Sequence, residues 1–135
     1  MIIHVLEDME GRIDFLRSLV EHCKDVKISW HNNVNSFIRE FPENPGLVIL
    51  DHDLGGVPTD LAIASRDIDG QSGTDAVRRM PNVSCPVLIW SMNPVRAPIM
   101  KQDLQRRGMH VAWYPFGSSS CTSAITHVLL AATRA

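Results

Sequence analysis

Leu47-Val48-Ile49-Leu50 runs directly into Asp51-His52-Asp53, and Leu54 then leads into Gly55-Gly56. Four apolar residues in a row, with no polar residue between them, describe a strand buried on both faces. Such strands belong to parallel sheets covered by helices on each side. In open α/β sheets, ligands bind beyond the carboxyl ends of the strands. Asp51 and Asp53 therefore stand where chemistry is expected.

The same pattern recurs along the chain. Residues 2–6 form a short apolar run that ends in Glu7-Asp8. Residues 26–30 read as a second strand. Residues 86–90 read as a fourth, which ends at Ser91-Met92-Asn93-Pro94. Residues 111–114 read as a fifth, cut off by Pro115-Phe116-Gly117. Between these runs the apolar spacing turns helical. Ile13, Leu16, Val20 and Cys23 mark a helix over 11–24, and Val34, Phe37, Ile38 and Phe41 a shorter one. Ala76, Val77 and Met80 mark a helix over 74–80. Residues 97–107 form a helix closed by Gly108, a residue suited to the left-handed cap. Ile125, Val128, Leu129 and Ala132 line the last helix, and Ser118-Ser119-Ser120 offer it a cap or an anion seat. Strands alternating with helices predict a doubly wound, five-stranded parallel sheet of flavodoxin-like (βα)5 form.

Residues 55–70 are the least regular part. Pro58-Thr59-Asp60 is a candidate cap for a helical turn over 61–64, and Asp67-Ile68-Asp69-Gly70 reads as a tight turn. An EF-hand would need an acid where Ser65 stands and a glutamate where Ala76 stands, so that reading is rejected. A long connection in a compact domain is more often functional than accidental.

At 135 residues and 44% hydrophobic, the chain is expected to form a single domain over 1–135. The net charge of −2 and the lack of a basic block argue against a nucleic-acid groove. Cys23, Cys85 and Cys121 are scattered and give neither metal spacing nor a disulfide framework. The first apolar run is too short for a signal peptide or membrane span, so a cytoplasmic setting without membrane contact is expected.

In such a sheet the ends of strands one, three, four and five share one edge. That edge gathers Glu7, Asp8, Asp51, Asp53, Ser91 and Tyr114-Pro115. Either acidic cluster alone would serve as the start of a helix, where acids complement the dipole. Both at adjacent strand ends would repel. A hard divalent cation resolves the repulsion, with Glu7, Asp8 and Asp51 as ligands to magnesium or manganese. Magnesium accepts carboxylates and keeps waters that a phosphate replaces. Ser91 lacks the glycine elbow of a hydrolase nucleophile. His52 competes for two roles. Alternation along a strand turns it away from Asp51 and Asp53 to a hydrogen bond under the long loop. It returns to the site as a catalytic candidate only if the strand has ended before it.

The pattern resembles the receiver domain of two-component signalling over nearly the whole chain. Glu7-Asp8 match its acidic pair, Asp51 its phosphoryl acceptor, Ser91 its fourth-strand hydroxyl, and Pro115-Phe116 its fifth-strand proline and the residue after it. The family's fifth-strand lysine is absent, and Tyr114 stands in its place. Lys101, the nearest candidate in sequence, falls within the fourth helix. A phenol supplies no cation, so ordinary phosphorylation switching is not expected. Asp51-His52-Asp53-Leu54-Gly55, the long loop, Gly73-Thr74-Asp75 and Ser91-Met92-Asn93-Pro94 are similar to the divergent branch described as the cyclic-phosphate processing receiver domain. That branch tends to carry a histidine before the fourth-strand serine; here the residue is Trp90.

The resemblance implies a metal-dependent domain that handles phosphate groups, with Asp51, Asp53, Ser91 and His52 as catalytic candidates and Ser91 and Asn93 as phosphate-binding ones. Its ligand would be a phosphate-containing small molecule or a phosphodonor, and a cyclic-phosphate phosphodiesterase is one form of the activity. The alternatives are a signalling receiver phosphorylated on Asp51 and a pseudo-receiver that acts only through protein contacts of its last helices.

Overall fold

Side chains of a strand alternate between two faces, so an unbroken apolar run must be covered on both. A computed structural model, which describes residues 1–54 and 72–133, supplies that cover. The order is β1 (Ile2–Leu6), α1 (Glu10–Val20), β2 (Lys27–His31), α2 (Val34–Arg39), β3 (Leu47–Leu50), α3 (Gly73–Arg79), β4 (Val87–Ile89), α4 (Arg96–Arg106), β5 (Val111–Trp113) and α5 (Ser119–Thr133). All strand pairs are parallel, in the order β2-β1-β3-β4-β5. The cap and turn expected at 58–64 and 67–70, and Gly55-Gly56, lie outside the described residues.

Two cores flank the sheet. Leu6, Val48, Leu50 and Ile89 pack with Val34 and Phe37 of α2, Ala76 and Val77 of α3, and Met100 and Leu104 of α4. Ile3, Val5, Leu47, Ile49 and Trp90 pack with Ile13 and Leu16 of α1 and with Cys121 and Ile125 of α5. The alternate residues of β3 are thus divided between the two sides. Leu47 is 1% exposed and Ile49 0%; burial of each such side chain stabilises the fold by about 1.5–3 kcal/mol.

Boundaries move by local chemistry. The helix expected over 11–24 stops at Val20, because the Cys23 N–H folds back to the Val20 carbonyl and Asp25 turns left-handed at φ 63°. The strand expected over 26–30 sits one residue later, at Lys27–His31. The fourth helix ends at Arg106. Gly108, at φ +86°, then lets its own N–H and that of Met109 satisfy the carbonyls of Gln105 and Leu104. Ser118 fills the cap role: its Oγ accepts from the Cys121 N–H at 3.1 Å.

Register places the strand ends in one row. Leu6 lies opposite Leu50, Leu50 opposite Ile89, and Ile89 opposite Trp113. The next residues continue the ladder: the Asp51 N–H donates to Leu6, that of Trp90 to Leu50, and that of Tyr114 to Ile89. No helix among the described residues is long and apolar enough to cross a membrane.

Candidate functional site at the strand ends

Glu7 leaves β1 fully buried. Its Oε2 accepts from the backbone N–H groups of Asp8 (2.9 Å) and Met9 (3.1 Å), which serves the unpaired donors ahead of α1. Its Oε1 accepts from Arg12 Nη1 at 3.1 Å. Asp51, 4% exposed, follows β3 and lies 3.8 Å from the same Arg12 nitrogen. One carboxylate oxygen from each of Glu7, Asp8 and Asp51 falls within 4.8 Å of the others. The three residues expected as metal ligands are therefore neighbours in space.

Burial pushes Glu7 up to about 8, with the Asp51 charge adding to the rise and Arg12 and the Met9 N–H opposing it. Burial likewise lifts Asp51 to about 6, opposed by Arg12 and the His52 N–H and assisted by Asp53 and Asp8. Two like charges this close resist ionising together. Hard oxygen donors crowded in this way suit magnesium or manganese, whose charge would hold all three ionised.

The strand ends at Leu50, so the alternation that would turn His52 away does not continue to it. His52 is 2% exposed and its Nδ1 meets Asp53 Oδ1 at 3.0 Å. Asn93 Nδ2 donates to the same oxygen at 3.1 Å. Burial works upward on Asp53, but these hydrogen bonds, then the His52 and Arg12 charges, bring it below its ordinary value. An ionised Asp53 requires the His52 proton on Nδ1.

Asn93 has a second task. Its Oδ1 accepts from the Val95 N–H at 3.0 Å and the Arg96 N–H at 2.9 Å, capping α4. Its own N–H reaches Ser91 Oγ at 3.1 Å, and Ser91 is fully buried. Asp53, His52, Asn93 and Ser91 thus form one connected group beside the acidic cluster. Gly73 presses α3 against it: a Cβ there would lie 2.4 Å from the Asp51 carbonyl oxygen and 2.7 Å from His52 Cα. Only glycine fits this approach.

Trp90, the residue before Ser91, is fully buried and meets Phe116 edge to face at 5.3 Å. Tyr114 is 38% exposed just beyond β5. Lys101 lies within α4.

Sequence reasoning missed Arg12. Its guanidinium carbon sits 4.8 Å over the Phe116 ring, and its side chain is 11% exposed. One signal was present: a cation in the first turn of a helix opposes the dipole and is misplaced there unless an acid claims it.

No family model matches the chain, and no curated protein matches it. Solved structures do. A signal receiver domain from Vibrio parahaemolyticus is 16% identical with a TM-score of 0.57, covering 98% of this chain and 92% of that one. The response regulator protein TrrA from Thermotoga maritima, in complex with Mg2+-BeF, is 14% identical with a TM-score of 0.56, covering 94% and 97%. The fold is that of a receiver domain. An adenylate cyclase structure from Rhodopirellula baltica, 11% identical, has a TM-score of 0.59 and coverage of 98% and 93%. At these identities the receiver likeness establishes architecture, and function rests on the site.

Proposed function

We propose that this chain is a divergent receiver-like domain that binds magnesium or manganese through Glu7, Asp8 and Asp51 and processes phosphate groups there, with cyclic phosphates as substrates. One observation carries the reading: three carboxylates on two adjacent strand ends, two of them buried, lie within 4.8 Å of one another. Burying mutually repelling acids costs stability unless cations offset them, and Arg12 supplies one positive charge against three carboxylates. When bound, a divalent cation supplies Lewis-acid polarisation of a phosphoryl oxygen.

The chain's own residues divide the remaining work. Asp51 or Asp53 orients the attacking water. His52, fixed through Nδ1 by Asp53, carries the proton between water and leaving alkoxide. Asn93 and Ser91 hold that pair in place. Hydrolysis would add water across one P–O ester bond of the ring: oxygen to phosphorus, proton to the released alkoxide. The test is a screen of cyclic phosphates with the wild type and with Asp51→Asn, alongside titration calorimetry with magnesium. Metal binding that Asp51→Asn loses, with ring opening in the wild type only, supports the reading. Equal metal binding by both proteins, or by neither, overturns it.

The receiver fold itself favours a second reading, a signalling domain phosphorylated at Asp51. Incubation with acetyl phosphate and magnesium, read by mass spectrometry, separates the two. Rapid, stoichiometric labelling of Asp51 would move the signalling reading ahead. Neither labelling nor turnover would leave a pseudo-receiver that works through protein contacts.

A further inference from the structure

Arg12 is the feature that the metal reading does not use. It faces Glu7 and Asp51, and its charge also acts on Asp53. Among the described residues only Nη1 of its guanidinium is engaged: by Glu7 at 3.1 Å, with Asp51 at 3.8 Å too far for a hydrogen bond. Nε and Nη2 have no partner among the described residues, although the side chain is only 11% exposed. A guanidinium carries five N–H donors in a planar fork. Here the guanidinium carbon lies 4.8 Å over the centre of the Phe116 ring, and Phe116 in turn meets Trp90 and Phe15 edge to face, each at 5.3 Å. A planar fork with spare donors beside a buried acid matches an oxyanion with two oxygens in one plane.

Charge makes the same case. Tyr114 brings no cation to the end of β5, and a phosphoryl group brings more negative charge to a cluster already rich in carboxylates. Catalysis at phosphorus depends on cations held ready for its oxygens. We propose that Arg12 anchors the phosphoryl oxyanion at Asp51, gripping it with the donors that Glu7 leaves free. This inference rests on the phosphate-handling reading above, to which it adds the residue that binds the anion.

Inorganic phosphate is the probe, titrated calorimetrically into the full chain at saturating magnesium, with magnesium binding measured separately. The wild type is expected to bind both. Arg12→Gln should weaken phosphate by about tenfold or more, the effect of losing charge-assisted hydrogen bonds, and should retain magnesium. Arg12→Lys keeps a charge for Glu7 but loses the fork, so its phosphate affinity should fall between the two. If Arg12→Gln fails to fold, Arg12→Lys decides by itself: affinity within about twofold of wild type overturns the proposal. So does Arg12→Gln binding phosphate as wild type does, which would make Arg12 a counter-ion only. A wild type that binds magnesium and not phosphate overturns the Arg12 proposal alone. A wild type that binds neither overturns the phosphate-handling reading as well.

Discussion

At the scale of single residues, burial raises both acids of the site, yet their removal is expected to act on stability in opposite directions because Glu7 holds more hydrogen bonds. Asp51 rises from 3.8 to about 6 because it is buried. Between those values the unfolded chain has released a proton that the folded chain keeps. The metal-free protein should therefore lose stability from Asp51 as pH rises through that window, with no further loss above it. Asp51→Asn removes the penalty. In urea melts at pH 7 with chelator, it should be more stable than wild type by on the order of 1–3 kcal/mol. Lower stability in the mutant would mean that Asp51 is a structural anchor. Glu7 is raised as well, to about 8, yet its side chain accepts from Arg12, Asp8 and Met9. Glu7→Ala strips Arg12 of its partner and leaves the start of α1 without its acceptor. The same melts should record a loss of about 2–4 kcal/mol.

Among the elements, α2 is tied to β1 and β2 by a directional chain of hydrogen bonds. His4 Nε2 faces the Phe37 carbonyl at 2.8 Å and must donate to it. His4 Nδ1 then accepts from Ser29 Oγ at 3.0 Å, Ser29 Oγ accepts from His31 Nε2 at 2.9 Å, and His31 Nδ1 accepts from Ser36 Oγ at 2.5 Å. One carbonyl thus sets both tautomers. Burial lowers His4 to about 4, with the Phe37 carbonyl and Glu40 opposing and His31 assisting; burial also lowers His31, between Glu40 and Arg39. The folded value of His4 lies below its unfolded 6.5, so its contribution is complete above pH 6.5 and is lost as pH falls towards 4. That loss amounts to about 3 kcal/mol. Proton NMR of the imidazole should find His4 neutral down to about pH 4, whereas an ordinary titration near 6.5 would break this account. The packing of α3 on β3 is just as strict. Gly73→Ala drives a methyl into the Asp51 carbonyl and should destabilise by about 1–3 kcal/mol or more in the same melts, and wild-type stability would mean that α3 shifts freely.

For the whole molecule, the decisive property is that separate chain segments end at one sheet edge. A cation bound there stabilises only the folded state. Magnesium at about 100 times its dissociation constant should add about 2.7 kcal/mol and raise the melting temperature by several degrees. The shift should vanish in Asp51→Asn. The want of a cation at the end of β5 also belongs to this scale, since such a group would act on Asp51 from another strand. Wild type should accept phosphoryl from acetyl phosphate slowly, and Tyr114→Lys should label faster by mass spectrometry. Faster labelling of wild type than of Tyr114→Lys would show that the site does not want for a cation at β5.

Apolar runs, helical spacing and the acids after each run were enough to read the parallel α/β architecture, because burial on two faces leaves its mark in consecutive residues. They were enough, too, to point to Glu7, Asp8 and Asp51 as neighbours, since they stand within two residues of the ends of β1 and β3. What lies across the sheet left no such mark. β3 stops at Leu50, whose carbonyl accepts from Trp90, and the His52 carbonyl turns to the Gly73 N–H of α3 while its ring meets Asp53; both partners lie far along the chain. That Asn93 both caps α4 and pins Asp53 depends on the position of β4 beside β3. Arg12 is the clearest case. Its partners are five and thirty-nine positions away, and its ring contact with Phe116 lies near the other end of the chain. A single sequence records which groups a residue carries and what its near neighbours prefer. Which charges share a buried space is decided by register and packing, and those exist only once the sheet has closed.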